Sequence, residues 1–123
     1  MAAVTKGTLN IERRNMARKG KASGALLRGD PVVLDSGATF DNRFDCNFKK
    51  AVSETTIHGI VLKDAPAGDL VEVLTEGEIG GYSGLTVGAP LSVVSGNVDN
   101  TAPAAGIYIQ LIALTSTKIW VKV

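Results

Sequence analysis

Two stretches decide the fold: Gly-Asp-Pro-Val-Val-Leu-Asp-Ser-Gly-Ala-Thr-Phe-Asp-Asn at 29–42 and Gly-Ala-Pro-Leu-Ser-Val-Val-Ser-Gly-Asn-Val-Asp-Asn at 88–100. They match after one gap, each with a Gly-x-Pro opening, a short apolar run, a Ser-Gly turn and an Asp-Asn close. Pro presets φ and Gly accepts the positive φ that tight turns demand, so each copy predicts a strand bounded by turns. Each copy is then followed by an apolar strand and a second, alternating one. These are His58-Gly-Ile-Val-Leu with Asp69-Leu-Val-Glu-Val-Leu, and Gln110-Leu-Ile-Ala-Leu with Lys118-Ile-Trp-Val-Lys-Val. The repeat predicts two similar three-strand units packing their apolar faces together, an all-β small barrel, β-tulip or sandwich.

The rest of the chain agrees with strands. Apolar runs at 26–34, 57–62, 70–74, 91–94, 107–114 and 119–123 are bounded by Gly, Pro, Asp, Asn and Ser. Leu70, Glu72 and Leu74 alternate with Val71, Val73 and Thr75, the period of a strand. No segment carries a helical stripe beyond a turn or two at 47–53. Pro66 and Gly68 predict a tight turn ahead of residue 70. The glycine-dense stretch 76–84 reads as a mobile surface loop joining the two units.

At 123 residues the chain is sized for one domain that folds without staples. Cys46 is the single cysteine, which excludes an intramolecular disulfide, and with one histidine it excludes a Cys/His zinc site within a monomer. No apolar run approaches the roughly 18–20 residues of a membrane helix. Ala2, Ala3 and Val4 give way at once to Thr5 and Lys6, so no signal-peptide core is read and synthesis in a cytoplasm is expected.

Charge divides the chain. Residues 1–28 hold Lys6, Arg13, Arg14, Arg18, Lys19, Lys21 and Arg28 against Glu12 alone, whereas 29–123 has six basic and eleven acidic residues. The expected organisation is a basic, extended N-terminal arm over 1–23 and a single β domain over 24–123. Such an arm suits an acidic protein surface, an anionic lipid or nucleic acid. It lacks interleaved aromatics, which argues against sequence-specific nucleic-acid recognition.

No constellation carries catalysis. Gly77, Gly80, Gly81 and Gly84 have no Lys-Ser/Thr sequel and sit beside Glu76 and Glu78, unlike a phosphate cradle. His58 reads as a hydrogen-bonded structural histidine with no nucleophile at hand. Cys46 lies between Asp45 and Asn47, a setting that disfavours a thiolate. The pairs Glu76 with Glu78 and Asp41 with Asp45 lack calcium-loop spacing and read as surface decoration. Arg28-Gly29-Asp30 spells an adhesion tripeptide, but at a strand entrance it is explained by turn formation. The expectation is no enzyme, no metal and no cofactor.

Several stretches resemble one family. Gly84-Leu-Thr-Val-Gly-Ala-Pro-Leu-Ser-Val-Val-Ser-Gly-Asn-Val98, Thr101-Ala-Pro-Ala-Ala-Gly-Ile-Tyr-Ile-Gln110, Ala113-Leu-Thr-Ser-Thr-Lys-Ile-Trp-Val-Lys-Val123 and Gly59-Ile-Val-Leu-Lys-Asp-Ala-Pro-Ala-Gly-Asp-Leu-Val-Glu-Val-Leu74 resemble capsid decoration, or head cement, proteins of tailed bacteriophages. That resemblance covers about residues 24–123. It implies a virion protein on the outer capsid surface, a homotrimer that bridges neighbouring major capsid subunits. The arm then offers Leu9 and Ile11 as apolar anchors and Arg13, Arg14, Arg18, Lys19 and Lys21 as contacts to acidic capsid surface. The competing reading is a phage fibre or host-adhesion module, with Tyr82, Tyr108 or Trp120 recognising carbohydrate.

Overall fold

A computed structural model describes residues 16–36 and 46–123. Among them every regular element is a strand: β1 (Met16–Ala22), β2 (Pro31–Leu34), β3 (Asn47–Lys50), β4 (Gly59–Val61), β5 (Leu70–Gly80), β6 (Pro90–Val94), β7 (Asn97–Asp99), β8 (Leu111–Ala113) and β9 (Lys118–Lys122). They follow one another across a sheet in the order β1-β3-β2-β4-β5-β9-β8-β6-β7, and β1 pairs again with β5. That second pairing closes the first five strands into a barrel. The far half of β5 continues into an open wing of β9, β8, β6 and β7.

The expected repeat is present as topology. β2-β4-β5 and β6-β8-β9 are both antiparallel three-strand units, and they meet where β5 pairs with β9. Pro31 lies opposite Ile60 in the first unit as Pro90 lies opposite Ile112 in the second. The amide of Gly29 donates to the Val61 carbonyl at 2.8 Å, and that of Gly88 to the Ala113 carbonyl at 2.7 Å. Only the third strand departs from the sequence alignment. Ile60 pairs with Leu74 but Ile112 pairs with Trp120, so the true equivalent of Leu74 lies three residues before Val123.

Two apolar clusters share one wall. Ala22, Leu26, Val32, Phe48, Val61, Val71 and Val73, drawn from all five barrel strands and one loop, fill the barrel. Ile60 and Leu74, on the other face of β4 and β5, pack with Leu91, Leu111, Ile119 and Val121 between the barrel wall and the wing. Each fully buried side chain of this size contributes about 1.5–3 kcal/mol relative to exposure.

Four expectations change. Residues 47–50, read as helical turns, form β3, because Phe48 between Asn47 and Lys49 alternates into the barrel. The loop expected at 76–84 is strand as far as Gly80, with Ile79 buried. Thr75 is skipped in the pairing of β5 with β1, and this bulge turns Leu74 and Ile79 toward the same cluster. Gly77 sits at φ 140°, a conformation L side chains rarely adopt, so here glycine bends a strand rather than ending it. The run at 107–114 supplies only the three residues of β8. Residues 16–22 of the expected arm are β1, and residues 1–15 lie outside the described residues.

β1 fits because Gly20 has no side chain: a Cβ there would lie 2.7 Å from the Phe48 ring and 2.8 Å from the Cys46 carbonyl oxygen. Gly20→Ala is expected to cost about 1–3 kcal/mol as a lowered urea midpoint. Gly24→Ala, with nothing within 4 Å of the added methyl, should leave the midpoint within error of wild type. Equal midpoints for Gly20→Ala and wild type would refute the close contact.

Candidate functional site

Of the residues expected to make capsid contacts, Leu9, Ile11, Arg13 and Arg14 lie outside the described residues. Arg18, Lys19 and Lys21 stand on β1, which seals the barrel. Gly20 and Ala22 face inward, so Lys19 and Lys21 face outward, while Arg18 lies at the barrel's open end. Glu72 sits opposite Lys19 and Leu70 opposite Lys21. On the other side, parallel pairing sets Lys21 against Asn47. Lys49 follows one pleat further along β3 and is exposed, as is Lys19. The result is an outward face carrying Lys19, Lys21 and Lys49, with Glu72 opposite Lys19 and Asp35 beside Asn47. Sequence reading missed Lys49 because the helical reading of 47–53 hid its alternation with Phe48.

The adhesion-like tripeptide is tied into the fold. The Arg28 guanidinium donates to the Leu62 carbonyl at 2.7 Å and the Gly80 carbonyl at 3.1 Å, and its amide donates to Asp64 at 2.7 Å. Asp30 accepts from the Leu27 amide at 3.0 Å and lies 3.8 Å from Lys50. The Tyr82 hydroxyl donates to the Gly29 carbonyl at 2.8 Å. These bonds join the first unit to the chain leaving β5, the work of a structural clasp. Burial, with the Asp30 charge adding to it, pushes the Tyr82 hydroxyl well above the ordinary tyrosine range.

At the barrel's open end lies a groove of about 600 Å³, lined in part by Met16, Leu34, Phe48, Thr75, His58 and Gln110. Two side chains at its edge finish the backbone. His58 Nδ1 accepts from the Leu34 amide at 3.0 Å, in keeping with the structural role expected of it. Gln110, its counterpart in the repeat, accepts from the Ile57 amide at 2.8 Å and donates to the Ile57 carbonyl at 2.9 Å. Glu76 and Glu78 share one face of β5, and Glu78 lies 3.8 Å from Lys118. Asp41 and Asp45 fall outside the described residues. Of the three aromatic residues considered for carbohydrate, Tyr82 is tied to Gly29, Trp120 is half-buried and Tyr108 is exposed.

No protein-family model and no curated protein matches the chain. Among solved structures, the fold is similar to that of the head fiber gp8.5 N base of bacteriophage phi29. The TM-score is 0.60 at 14% sequence identity, over 89% of this chain and 95% of that one. The likeness is therefore one of architecture across nearly the whole of both chains.

Tyr82→Phe is expected to cost about 0.5–1.5 kcal/mol at neutral pH by removing the bond to Gly29. Because folding raises the Tyr82 pKa, the stability linked to its proton is fully present below the unfolded value of about 10 and is lost as pH rises above it. Urea midpoints of wild type and Tyr82→Phe should therefore converge as pH is raised from 7 to 11. Parallel pH profiles would show that the hydroxyl is not buried in this bond.

Proposed function

We propose that this protein is a structural component of a tailed-bacteriophage virion, not an enzyme, and that it binds the outer surface of the assembled head. As a homotrimer it bridges neighbouring major capsid subunits and stabilises the shell. The observation that carries the reading is the architecture shared, over most of the chain, with the N base of a phage head fiber protein. A protein that binds only the assembled lattice stabilises it by its differential binding energy, so modest contacts repeated over many copies suffice. The contact surface is the basic face of Lys19, Lys21 and Lys49 on β1 and β3, with Arg18 at the barrel mouth. Leu9, Ile11, Arg13 and Arg14 extend it from the N-terminal segment. Its complement is an acidic protein surface, for which charge steers encounter and sets orientation.

The same likeness favours a second reading, in which the domain is the base of a fibre or host-adhesion module anchored on the head. The two differ in what binding does. A bridging protein raises the temperature at which heads release their DNA, whereas a fibre base leaves it unchanged.

Binding of the purified protein to heads that lack it, measured by co-sedimentation, tests the head attachment that both readings share, and the DNA-release temperature of the loaded heads separates them. Occupancy should fall with rising salt. The double variant Lys19→Gln with Lys21→Gln, which sets no carboxylate against Glu72, should bind on the order of tenfold more weakly with its circular dichroism spectrum unchanged. Removing residues 2–15 leaves β1 intact and so isolates the contribution of Leu9, Ile11, Arg13 and Arg14. Occupancy that is indifferent to salt and to both changes would sink the basic-face contact. Absence of any binding to heads would sink the virion reading.

A further inference from the structure

Among the described residues, no layer packs against the outer face of the wing. Along β9 the pattern alternates, Ile119 and Val121 buried inward and Lys118, Trp120 and Lys122 outward. Along β8, Leu111 and Ala113 point inward and Ile112 outward at 37% exposure. Register places Glu78, Trp120, Ile112 and Pro90 in one row across β5, β9, β8 and β6. Leu114, 38% exposed, adjoins this row one pleat beyond Ile112. An indole, an isoleucine and a proline side by side on an exposed sheet face are the composition of an interface centre rather than of a solvated surface.

The border tells what fits. Glu76 and Glu78 lie on β5 and Lys118 and Lys122 on β9, two charges of each sign around the apolar row. A uniformly acidic or basic partner would meet repulsion from half of this border. A second identical face can set each sign against its opposite. We propose that this face, centred on Trp120 and Ile112, is where copies of this chain dock on one another. Identical faces that meet in this way are related by a two-fold axis, so the inference goes beyond the homotrimer of the proposed function to pairing between copies, and it leaves the basic face of β1 and β3, on the barrel, free for the shell.

Trp120 is the only tryptophan in the chain, so its emission reports on this face alone. The full-length protein is followed by sedimentation velocity and by acrylamide quenching over a dilution series. Expected is an oligomer whose loss on dilution coincides with a red shift and increased quenching of Trp120. Ile112→Lys should weaken self-association on the order of tenfold or more with the circular dichroism spectrum unchanged, and Leu114→Lys serves as a second probe should the first unfold. An oligomer of unchanged mass and stability in both variants overturns this face while leaving oligomerisation intact. A monomer at every concentration overturns both. Shielding of Trp120 only when the protein is bound to heads gives the face to the shell, and so overturns the inference as well.

Discussion

Everything in this molecule hangs on β5, because it is the one strand that belongs to both halves. Its first half is paired with β4 on one side and β1 on the other, and its second half with β9. Val73 faces into the barrel while the next residue, Leu74, faces the wing, so two adjacent side chains anchor two different cores. A strand buried on both faces tolerates no polar alternation where the cores overlap. Its neighbour β4, three buried residues in a row, obeys the same constraint. The bulge at Thr75 lets a single strand change partners without leaving the sheet.

Seen from β5, the repeat is two similar units treated differently. Both have the same order and the same proline-to-isoleucine pairing. The first is rolled shut because β3 and β1 continue it and β1 reaches back to β5. The second gains only β7, through a Ser95-Gly96 hairpin whose two residues both take positive φ, and stays open. Closure removes sheet edges from the first unit and leaves the second to end on a three-residue strand.

The sequence was most legible where side chains alternate against turns. Both Gly-x-Pro openings, the alternation of 70–74 and 119–123, and the small all-β fold of two units could be read directly. What escaped depended on context. Phe48 between polar neighbours suits a helix or a strand until the barrel around it is known. Glycines at 77 and 80 look like a loop until β9 is seen to pair through that segment. The basic cluster of Arg18, Lys19 and Lys21 was found by composition, but its display on a rigid strand rather than in an arm is set by pairing with residues some fifty positions away in the chain. Lys49 and the row from Glu78 to Pro90 are products of register and had no local signal. The adhesion-like tripeptide shows the converse: its spelling is local, and its meaning is fixed by carbonyls at positions 62 and 80.

Thr75, the residue the bulge leaves over, has a further importance. Its hydroxyl donates to the Met16 carbonyl at 3.1 Å, and its own carbonyl accepts from the Val123 amide at 3.0 Å. The start of β1 and the end of β9 are thus fastened to one residue, at the open rim of the barrel. The opposite end, where Leu26 bridges to Ala65, carries neither. For anyone wishing to use this domain as a scaffold, a polypeptide joined directly at Met16 or at Val123 would set out from the same rim of the barrel.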